Sequence, residues 1–130
     1  MNQICVCTLI FNEDNTKILA VSRKNDNTIL GLPGGKYEKD LDGISYLNTA
    51  ERETLEETGY VIVCTENSYV AIDCYDNIVI TYLANINKSI PQKEVQETGT
   101  VAWTNPIEVT KGVFGNYNKE MFNHFGIQYD

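Results

Sequence analysis

The sequence predicts an α+β fold in one domain, because short apolar runs typical of strands surround a long acidic helix. In residues 4–11, apolar and small side chains alternate, which is the period of a strand with one buried face. Residues 44–58 are predicted to form the helix, which is entered through Asp42-Gly43 and ends at Gly59, a residue suited to the left-handed conformation that follows a last helical turn. A chain of 130 residues can bury one core, so we expect a single domain over residues 1–130.

Turn residues place the other elements in order. A polar turn at 12–15 joins the first strand to a second at 17–22, and the two are predicted to pair as a hairpin. A third strand at 29–32 leads into the turn made by Gly34 and Gly35. The elements predicted after the long helix are strands at 60–65, 69–75, 78–85 and 99–104, a tight turn at Asp76-Asn77, and a helix at 116–125 that ends at Gly126.

The net charge of −8 limits the classes of partner. An acidic surface repels phosphate at long range, so a nucleic-acid polymer is not an expected partner, and a nucleotide substrate would need a cation between the two negative charges. No apolar run is long enough for a membrane span, and the residues after Met1 lack the basic start of a secretion signal. We therefore expect a cytoplasmic protein without a membrane partner.

The cysteines and the single histidine argue against zinc sites and disulfides. The cysteines show no C-x-x-C spacing, and His124 is the only histidine. We expect four reduced core or sheet residues, namely Cys5, Cys7, Cys64 and Cys74.

Three carboxylates in the predicted helix lie at positions i, i+3 and i+4, so a helix directs Glu53, Glu56 and Glu57 to one side. Like charges at this spacing repel one another unless a positive charge lies among them. Hard divalent cations such as Mg²⁺ and Mn²⁺ prefer oxygen ligands. The turn at Gly34-Gly35, where backbone can approach a ligand closely, completes the pattern of a metal-dependent phosphate site. The alternative is an exposed acidic helix face.

These residues resemble the signature of the Nudix hydrolases, the family of MutT-like enzymes. The matching positions are Gly35 at the start and Arg52, Glu53, Glu56, Glu57, Gly59 and Tyr60 at the end. Two features depart from the signature. The interval from Gly35 to Arg52 is 17 positions (52 − 35), which is three longer than in the family. The first Glu of the signature is absent, because Leu41 or Ile44 takes its place in the two possible registers, and Asp40 and Asp42 are the candidates to replace it.

The resemblance implies an α/β/α sandwich with a mixed β-sheet between helices. It also implies Mg²⁺-dependent hydrolysis, with Mn²⁺ as a second possible ion, of a phosphoanhydride in a nucleoside diphosphate linked to another group. Since the chain lacks the extra N-terminal domain of many dimeric ADP-ribose hydrolases, we favour a nucleoside triphosphate that gives a monophosphate and pyrophosphate. The alternatives are ADP-ribose, a nucleotide sugar or a dinucleoside polyphosphate, and, in another class, a Nudix-fold module that binds a nucleotide without cleaving it. A monomer and a homodimer both remain open.

The resemblance assigns the chemistry to the signature residues. Glu56 and Glu57 are implied as metal ligands together with the backbone carbonyl of Gly34, and Glu53 as a further ligand or as the general base. Arg52 is implied to hold a carboxylate in place through its fork of donors.

Further candidates lie outside the acidic helix. The resemblance implies one more carboxylate from the loop before the strand that carries Trp103. Glu94 and Glu97 lie there, and either is a candidate ligand or base, with a solvated loop charge as the alternative. Arg23, Gly35 and Lys36 are candidates to contact the phosphates, with an exposed hairpin end as the alternative for Arg23.

The resemblance to small Nudix enzymes that act on oxidised nucleoside triphosphates implies that an asparagine in this part of the chain binds the base. Asn116 and Asn118 carry amides that offer both a donor and an acceptor to a base edge, although helix capping by Asn116 explains that residue as well and is favoured. Tyr75 lies where diadenosine polyphosphate hydrolases carry a tyrosine, and it is equally an aromatic residue at the end of a strand.

Overall fold

The computed structural model describes residues 2–23, 25–95 and 99–130. The elements in chain order are β1 (Ile4–Ile10), β2 (Ile18–Arg23), β3 (Asp26–Gly31), β4 (Gly34–Lys36), α1 (Lys39–Asp42), α2 (Tyr46–Thr58), β5 (Ile62–Ile72), β6 (Ile78–Ile86), β7 (Val101–Thr104), a 3₁₀ turn (Pro106–Thr110) and α3 (Gly115–Phe125). Among these described residues, no helix is both long and apolar enough to cross a membrane.

The strands form two sheets rather than one. A four-stranded mixed sheet has the order β4-β1-β6-β5, in which β1 runs parallel to β6 and antiparallel to β4. A three-stranded antiparallel sheet has the order β3-β2-β7. The predicted hairpin of the first two strands is therefore wrong, because β4 and β6 occupy both edges of β1. The bridge from Phe11 to Ile18 and the hydrogen bond from the N–H of Asn12 to the carbonyl of Lys17 at 3.0 Å remain of that pairing.

The two long helices cover opposite faces of the four-stranded sheet. Thr8 of β1 contacts α2, where its hydroxyl lies 2.9 Å from the hydroxyl of Thr54. Its neighbour Leu9 belongs to the buried core that includes Met121 and Phe122 of α3. Successive side chains of a strand point to opposite faces, so α2 and α3 lie on the two sides of β1. This arrangement confirms the predicted α+β fold of the Nudix type.

The acidic helix is shorter than predicted and is preceded by a separate turn of helix. Gly43, with φ 68°, separates α1 from α2, so the long helix begins at Tyr46 instead of residue 44. Its predicted end is confirmed, because Gly59 has φ 79° and donates its N–H to the carbonyl of Leu55 at 2.9 Å.

The two strands predicted at 60–65 and 69–75 are one strand, β5, which has a register shift between Cys64 and Ser68. The strand ends at Ile72, so Tyr75 belongs to the following turn and not to a strand. That turn is confirmed at Asp76, which has φ 62°. Cys74 is an exposed residue of the same turn, which corrects its predicted place in the core or sheet.

Candidate active site

The glycine turn packs against the acidic helix. The N–H of Gly34 donates to Oε1 of Glu57 at 2.7 Å. A Cβ atom on Gly34 would clash with the backbone of Val6 and Cys7, and one on Gly35 would clash with the carboxylate of Glu53. Gly34 therefore requires glycine, whereas a side chain at position 35 would displace the Glu53 carboxylate. As a result, two of the three predicted metal-binding glutamates lie directly against the turn.

Arg52 connects the start of the signature to its end. Its Nε and Nη2 atoms donate to the two carboxylate oxygens of Asp42 at 2.7 and 3.1 Å. Its Nη1 atom donates to Glu53 at 2.7 Å and lies 3.5 Å from Glu56, and Nη2 also donates to the carbonyl of Lys36 at 3.2 Å. One guanidinium thus holds carboxylates on two helices and the backbone of β4.

Of the two candidates to replace the missing first Glu, Asp42 is the one that pairs with Arg52. Its side chain is buried, and besides Arg52 it accepts hydrogen bonds from the hydroxyl of Thr49 at 2.8 Å and from the N–H of Glu38 at 3.0 Å. The hydrogen bonds from Arg52 hold the pKa of Asp42 well below its usual range, and the same pairing raises the pKa of Arg52. Asp40, the other candidate, is exposed.

The three glutamates of α2 are divided between two partners, Arg52 and Gly34. Glu53 and Glu56 contact Arg52, whereas Glu57 accepts from Gly34. Across 2–23, 25–95 and 99–130, no three acidic, histidine or cysteine side chains are arranged as a ready metal cluster. The donor set nevertheless fits a hard divalent cation, because it consists of carboxylate oxygens that lie beside the backbone of the glycine turn. Arg52 supplies the positive charge between Glu53 and Glu56.

A cavity of about 480 Å³ opens beside the glycine turn and is lined by residues of both sheets. Gly34, Gly35 and Glu57 form one end of it. Its apolar wall includes Ile29, Leu30, Val79, Val109 and Phe114. Its polar lining includes Arg23, Asp73, Asn77, Tyr117 and Asn118. A volume in this range is typical of a small-molecule site with a few placed polar groups.

The structure brings some of the predicted substrate contacts to this cavity and leaves others outside it. Arg23, Gly35 and Asn118 line the cavity. Lys36 and Asn116 are exposed and are not among the described lining residues. The predicted capping by Asn116 is wrong, because α3 begins one residue earlier and Phe114 is at its N-cap.

The loop that carries the predicted base is anchored beside the end of α2. Lys93 donates its N–H to the carbonyl of Gly59 at 2.8 Å, and Gln92 donates its side-chain amide to the carbonyl of Thr58 at 2.9 Å. Glu94 follows this anchor, is exposed, and is not among the described cavity residues. Glu97 lies outside the residues that the structure describes.

Sequence reasoning missed Asp73, a buried carboxylate of the cavity. The available signal was an acidic residue near the end of the mostly apolar strand predicted at 69–75. The prediction assigned Asp73 to that strand and gave it no functional role. Tyr75, which was a candidate, is exposed, and its ring packs edge-on against Phe114 with centroids 5.8 Å apart at the rim of the cavity.

Comparison with known proteins agrees with this geometry. The family model described as the NUDIX domain matches residues 1–125. A NUDIX hydrolase from Nitrosomonas europaea is 21% identical, with a TM-score of 0.66 over 99% of this chain and 93% of the other. An ADP-ribose pyrophosphatase from Streptococcus suis is 20% identical, with a TM-score of 0.69 over 95% of this chain and 88% of the other.

A third similar structure is the MutT described for Aliivibrio salmonicida and Vibrio cholerae, which is 21% identical, with a TM-score of 0.63 over 94% of this chain and 93% of the other. A search of curated proteins found no significant match. At these identities the solved structures establish the fold, whereas the family model covers nearly the whole sequence. Nudix proteins generally use a divalent metal and act on small nucleotide substrates. The chain therefore belongs to the Nudix hydrolase family, as its sequence predicted.

Proposed function

We propose that this chain cleaves a phosphoanhydride of a nucleotide with the help of Mg²⁺ or Mn²⁺, and that a nucleoside triphosphate, giving a monophosphate and pyrophosphate, is its substrate. The observation that carries this proposal is the contact between Glu57 and the N–H of Gly34 at the end of a cavity of about 480 Å³, with Glu53 against Gly35 beside it. The carboxylates thus lie against the backbone of the glycine turn, at one end of a cavity large enough for a nucleotide.

Glu56, Glu57 and Glu53 would hold the cation, together with the carbonyl of Gly34. The cation supplies positive charge beside the phosphates and makes water more acidic. Oxygen ligands of this kind suit Mg²⁺ and Mn²⁺ and suit zinc poorly. The acidic protein also has a need for such an ion, since its net charge of −8 opposes the approach of a polyphosphate.

The chain's own residues position the reacting groups. Arg52 fixes Glu53 at 2.7 Å while Asp42 fixes Arg52, so Glu53 is held on the side of the turn where a phosphate would lie. Arg23, in the cavity wall, is placed to contact the outer phosphates. Glu53, Glu94 and Glu97 remain the candidates for the general base that takes a proton from the attacking water.

The test is hydrolysis of a substrate panel with and without Mg²⁺. The panel contains nucleoside triphosphates, ADP-ribose, UDP-sugars and diadenosine polyphosphates, because an ADP-ribose pyrophosphatase and a UDP-X diphosphatase share this fold. Glu57→Gln should lower kcat at least a hundredfold, which is about 2.7 kcal/mol of transition-state stabilisation. Glu66→Gln is the matched control, because Glu66 is exposed and is not among the described cavity residues.

The same assay separates the alternatives. Cleavage of another member of the panel in place of triphosphates would reject the proposed substrate. Absence of turnover on the whole panel, with nucleotide-dependent thermal stabilisation, would instead establish the non-catalytic binding module. The variants Glu53→Gln, Glu94→Gln and Glu97→Gln identify the general base. The residue is the base if its variant loses the acid-side limb of the pH–rate profile.

A further inference from the structure

We propose that two copies of this chain form a dimer by pairing their β5 strands edge to edge, in antiparallel orientation, over Ser68–Ile72. The two four-stranded sheets then continue as one sheet of eight strands (2 × 4). The contact lies outside the cavity, because none of the residues from Ser68 to Ile72 is among the described residues that line it. It therefore does not depend on the proposed function.

In the part of the chain that the structure describes, the outer edge of β5 has no neighbouring strand. β5 is the last strand in the order β4-β1-β6-β5. The N–H of Asp73 donates to the carbonyl of Asn77 at 3.0 Å, toward β6, and this direction alternates from one residue of a strand to the next. The backbone N–H and carbonyl groups of Ile72, Val70 and Ser68 therefore point away from β6. A further strand is the partner that fits such a row of donors and acceptors.

Ser68–Ile72 lacks the features that usually protect an exposed strand edge. Those features are charged side chains, proline and irregular register. The first half of β5 has two of them, namely the charge of Glu66 and the register shift between Cys64 and Ser68. The segment Ser68–Ile72 contains no charged residue and no proline, and it pairs with β6 in unbroken register. This half of the strand is therefore regular enough to accept another strand.

The apolar surface of the sheet continues onto this edge. Val6, Ile80 and Val70 are neighbours in one row across β1, β6 and β5. The row lies on the face of Thr8, which contacts α2, because residues two apart in a strand share a face. The exposed fractions rise along the row from 0% and 7% to 57%, and Ile72 in the next row is 65% exposed. The apolar rows thus extend beyond the cover of the helix.

A second copy of the same chain is the occupant that fits this edge. Ser68–Ile72 has no charge that would attract a basic or an acidic peptide. Antiparallel pairing about a two-fold axis is self-complementary, so the chain itself supplies an uncharged apolar strand. Two molecules that each carry a net charge of −8 repel one another, and they approach most closely where the surface is uncharged.

The side chains favour one register of the two strands. With the two-fold axis at Ala71, Val70 of each copy lies opposite Ile72 of the other, and these two residues exchange backbone hydrogen bonds. Ala71 then lies opposite its own copy in a pair without hydrogen bonds, where the Cα atoms are about 4.5 Å apart. An axis at Val70 would instead place Ile72 opposite Ser68. The register centred on Ala71 is therefore expected.

The contact is small, so the dimer should dissociate on dilution. Stable interfaces bury about 800 Å² per partner, and weaker, transient ones bury less. Val70, Ile72 and the adjoining Ile78, which is 40% exposed, offer only part of such an area. The dissociation constant should therefore lie in the micromolar range.

Val70→Lys is the decisive variant, and Val63→Lys is its matched control. Val63 belongs to the same strand and is 56% exposed against 57% for Val70, but it lies on the other side of the register shift. Both variants add the same positive charge, so a difference between them reports the position and not the net charge. Thermal unfolding of each variant checks that it is folded.

Sedimentation equilibrium measures the mass of each protein from about 1 to 100 µM. The wild-type mass should rise over this range from the chain mass of 14.7 kDa toward twice that value. Val70→Lys should raise the dissociation constant at least about a hundredfold, because it places a charge in the apolar contact. Val63→Lys should change the constant by less than about threefold.

Two further variants test the backbone pairing and the register. Val70→Pro removes an N–H that points away from β6, so the edge strand should still fold while the dimer weakens. Ala71→Cys, in a Cys74→Ser background that removes the exposed cysteine, should form a disulfide between two copies on mild oxidation. The Cys74→Ser protein alone is the control and should remain unlinked.

Three results would overturn the proposed dimer. One is a wild-type protein that keeps the mass of a single chain at every concentration, a measurement that needs no variant to fold. Another is an equal loss of dimer in Val70→Lys and Val63→Lys. The third is an undiminished dimer in folded Val70→Pro without a disulfide in Ala71→Cys, which would place the contact on another surface. No assay of hydrolysis enters this test, so its outcome and that of the proposed function are separate.

Discussion

Asp42 and Arg52 form an ion pair in which the Asp42 side chain is almost fully buried and two hydrogen bonds run between the same two groups. The pair affects the position of the glutamates as well as the stability of the fold, because the same guanidinium holds Glu53 and Glu56. Removing one partner of a buried pair leaves the other charge without compensation, which costs about 3–5 kcal/mol. Asp42 therefore supports both the fold and the position of the glutamates.

Asp42→Asn should lower the free energy of unfolding by about 3 kcal/mol at neutral pH, measured by urea denaturation. The folded state lowers the pKa of Asp42, so the contribution is present above the ordinary Asp pKa of about 3.9 and is lost as pH falls toward the depressed value. The difference between wild type and variant should therefore be constant from pH 7 to about 4 and narrow below that. Asp40→Asn, at an exposed residue, is the control and should change little. An equal loss in both variants would refute the assignment.

The two glycines of the turn should respond differently to a methyl group. In Gly34→Ala the new Cβ meets the backbone of β1, which cannot move easily. The free energy of unfolding should therefore fall by about 1–3 kcal/mol. In Gly35→Ala it meets the carboxylate of Glu53, the movable end of a side chain. That variant should keep most of its stability and lose kcat. Circular dichroism melts and steady-state rates measure the two effects, and the reverse pattern would contradict this account.

Among individual residues, the sequence predicts those whose spacing along a helix determines which side they share. Glu53 and Glu57 are found against the glycine turn because a helix fixes positions i and i+4 on one side. The choice between Asp40 and Asp42 required the structure, since it depends on where α1 places each side chain. Asp73 was missed because its environment is made by contacts with residues distant in sequence.

The helix α2 buries three threonine side chains. Thr49, Thr54 and Thr58 are fully buried, and each is satisfied locally or across the interface. The hydroxyl of Thr54 lies 2.9 Å from that of Thr8 on β1. A small polar side chain at Thr54 lets the helix approach β1 closely. This contact fixes the depth of the helix relative to the glycine turn.

Thr54→Val should cost about 1–3 kcal/mol of unfolding free energy, because it leaves the buried hydroxyl of Thr8 without its side-chain partner. The double variant Thr8→Val with Thr54→Val should be closer to wild type than the sum of the two single variants, since neither hydroxyl then remains buried and unpaired. Chemical denaturation of the four proteins gives the coupling energy. Strict additivity of the two losses would show that the hydroxyl pair contributes nothing specific.

Helices, strands and turns were predicted well where neighbouring residues in the sequence determine them. They were predicted poorly where pairing with a distant strand determines them. The end of α2 at Gly59 and the turn at Asp76 follow from residues that accept positive φ. The β1–β2 hairpin failed because the choice of a strand's neighbour is a tertiary outcome. The sequence predicts separate strands at 60–65 and 69–75, whereas the residues between them are accommodated by a register shift within β5, an edge strand of its sheet.

For the whole molecule, the net charge of −8 opposes the approach of any polyphosphate, whereas the proposed site, with its cation bound, would attract one. Salt screens the long-range repulsion more than the close contacts, because the Debye length falls from about 30 Å at 0.01 M to about 10 Å at 0.1 M. At constant saturating Mg²⁺, kcat/KM for a triphosphate should therefore rise over this range of ionic strength. Glu66→Lys, a charge reversal at an exposed residue, changes the net charge from −8 to −6 (−8 + 2) and should flatten the rise. A fall in kcat/KM with added salt would show that positive groups of the site, such as Arg23, govern association instead.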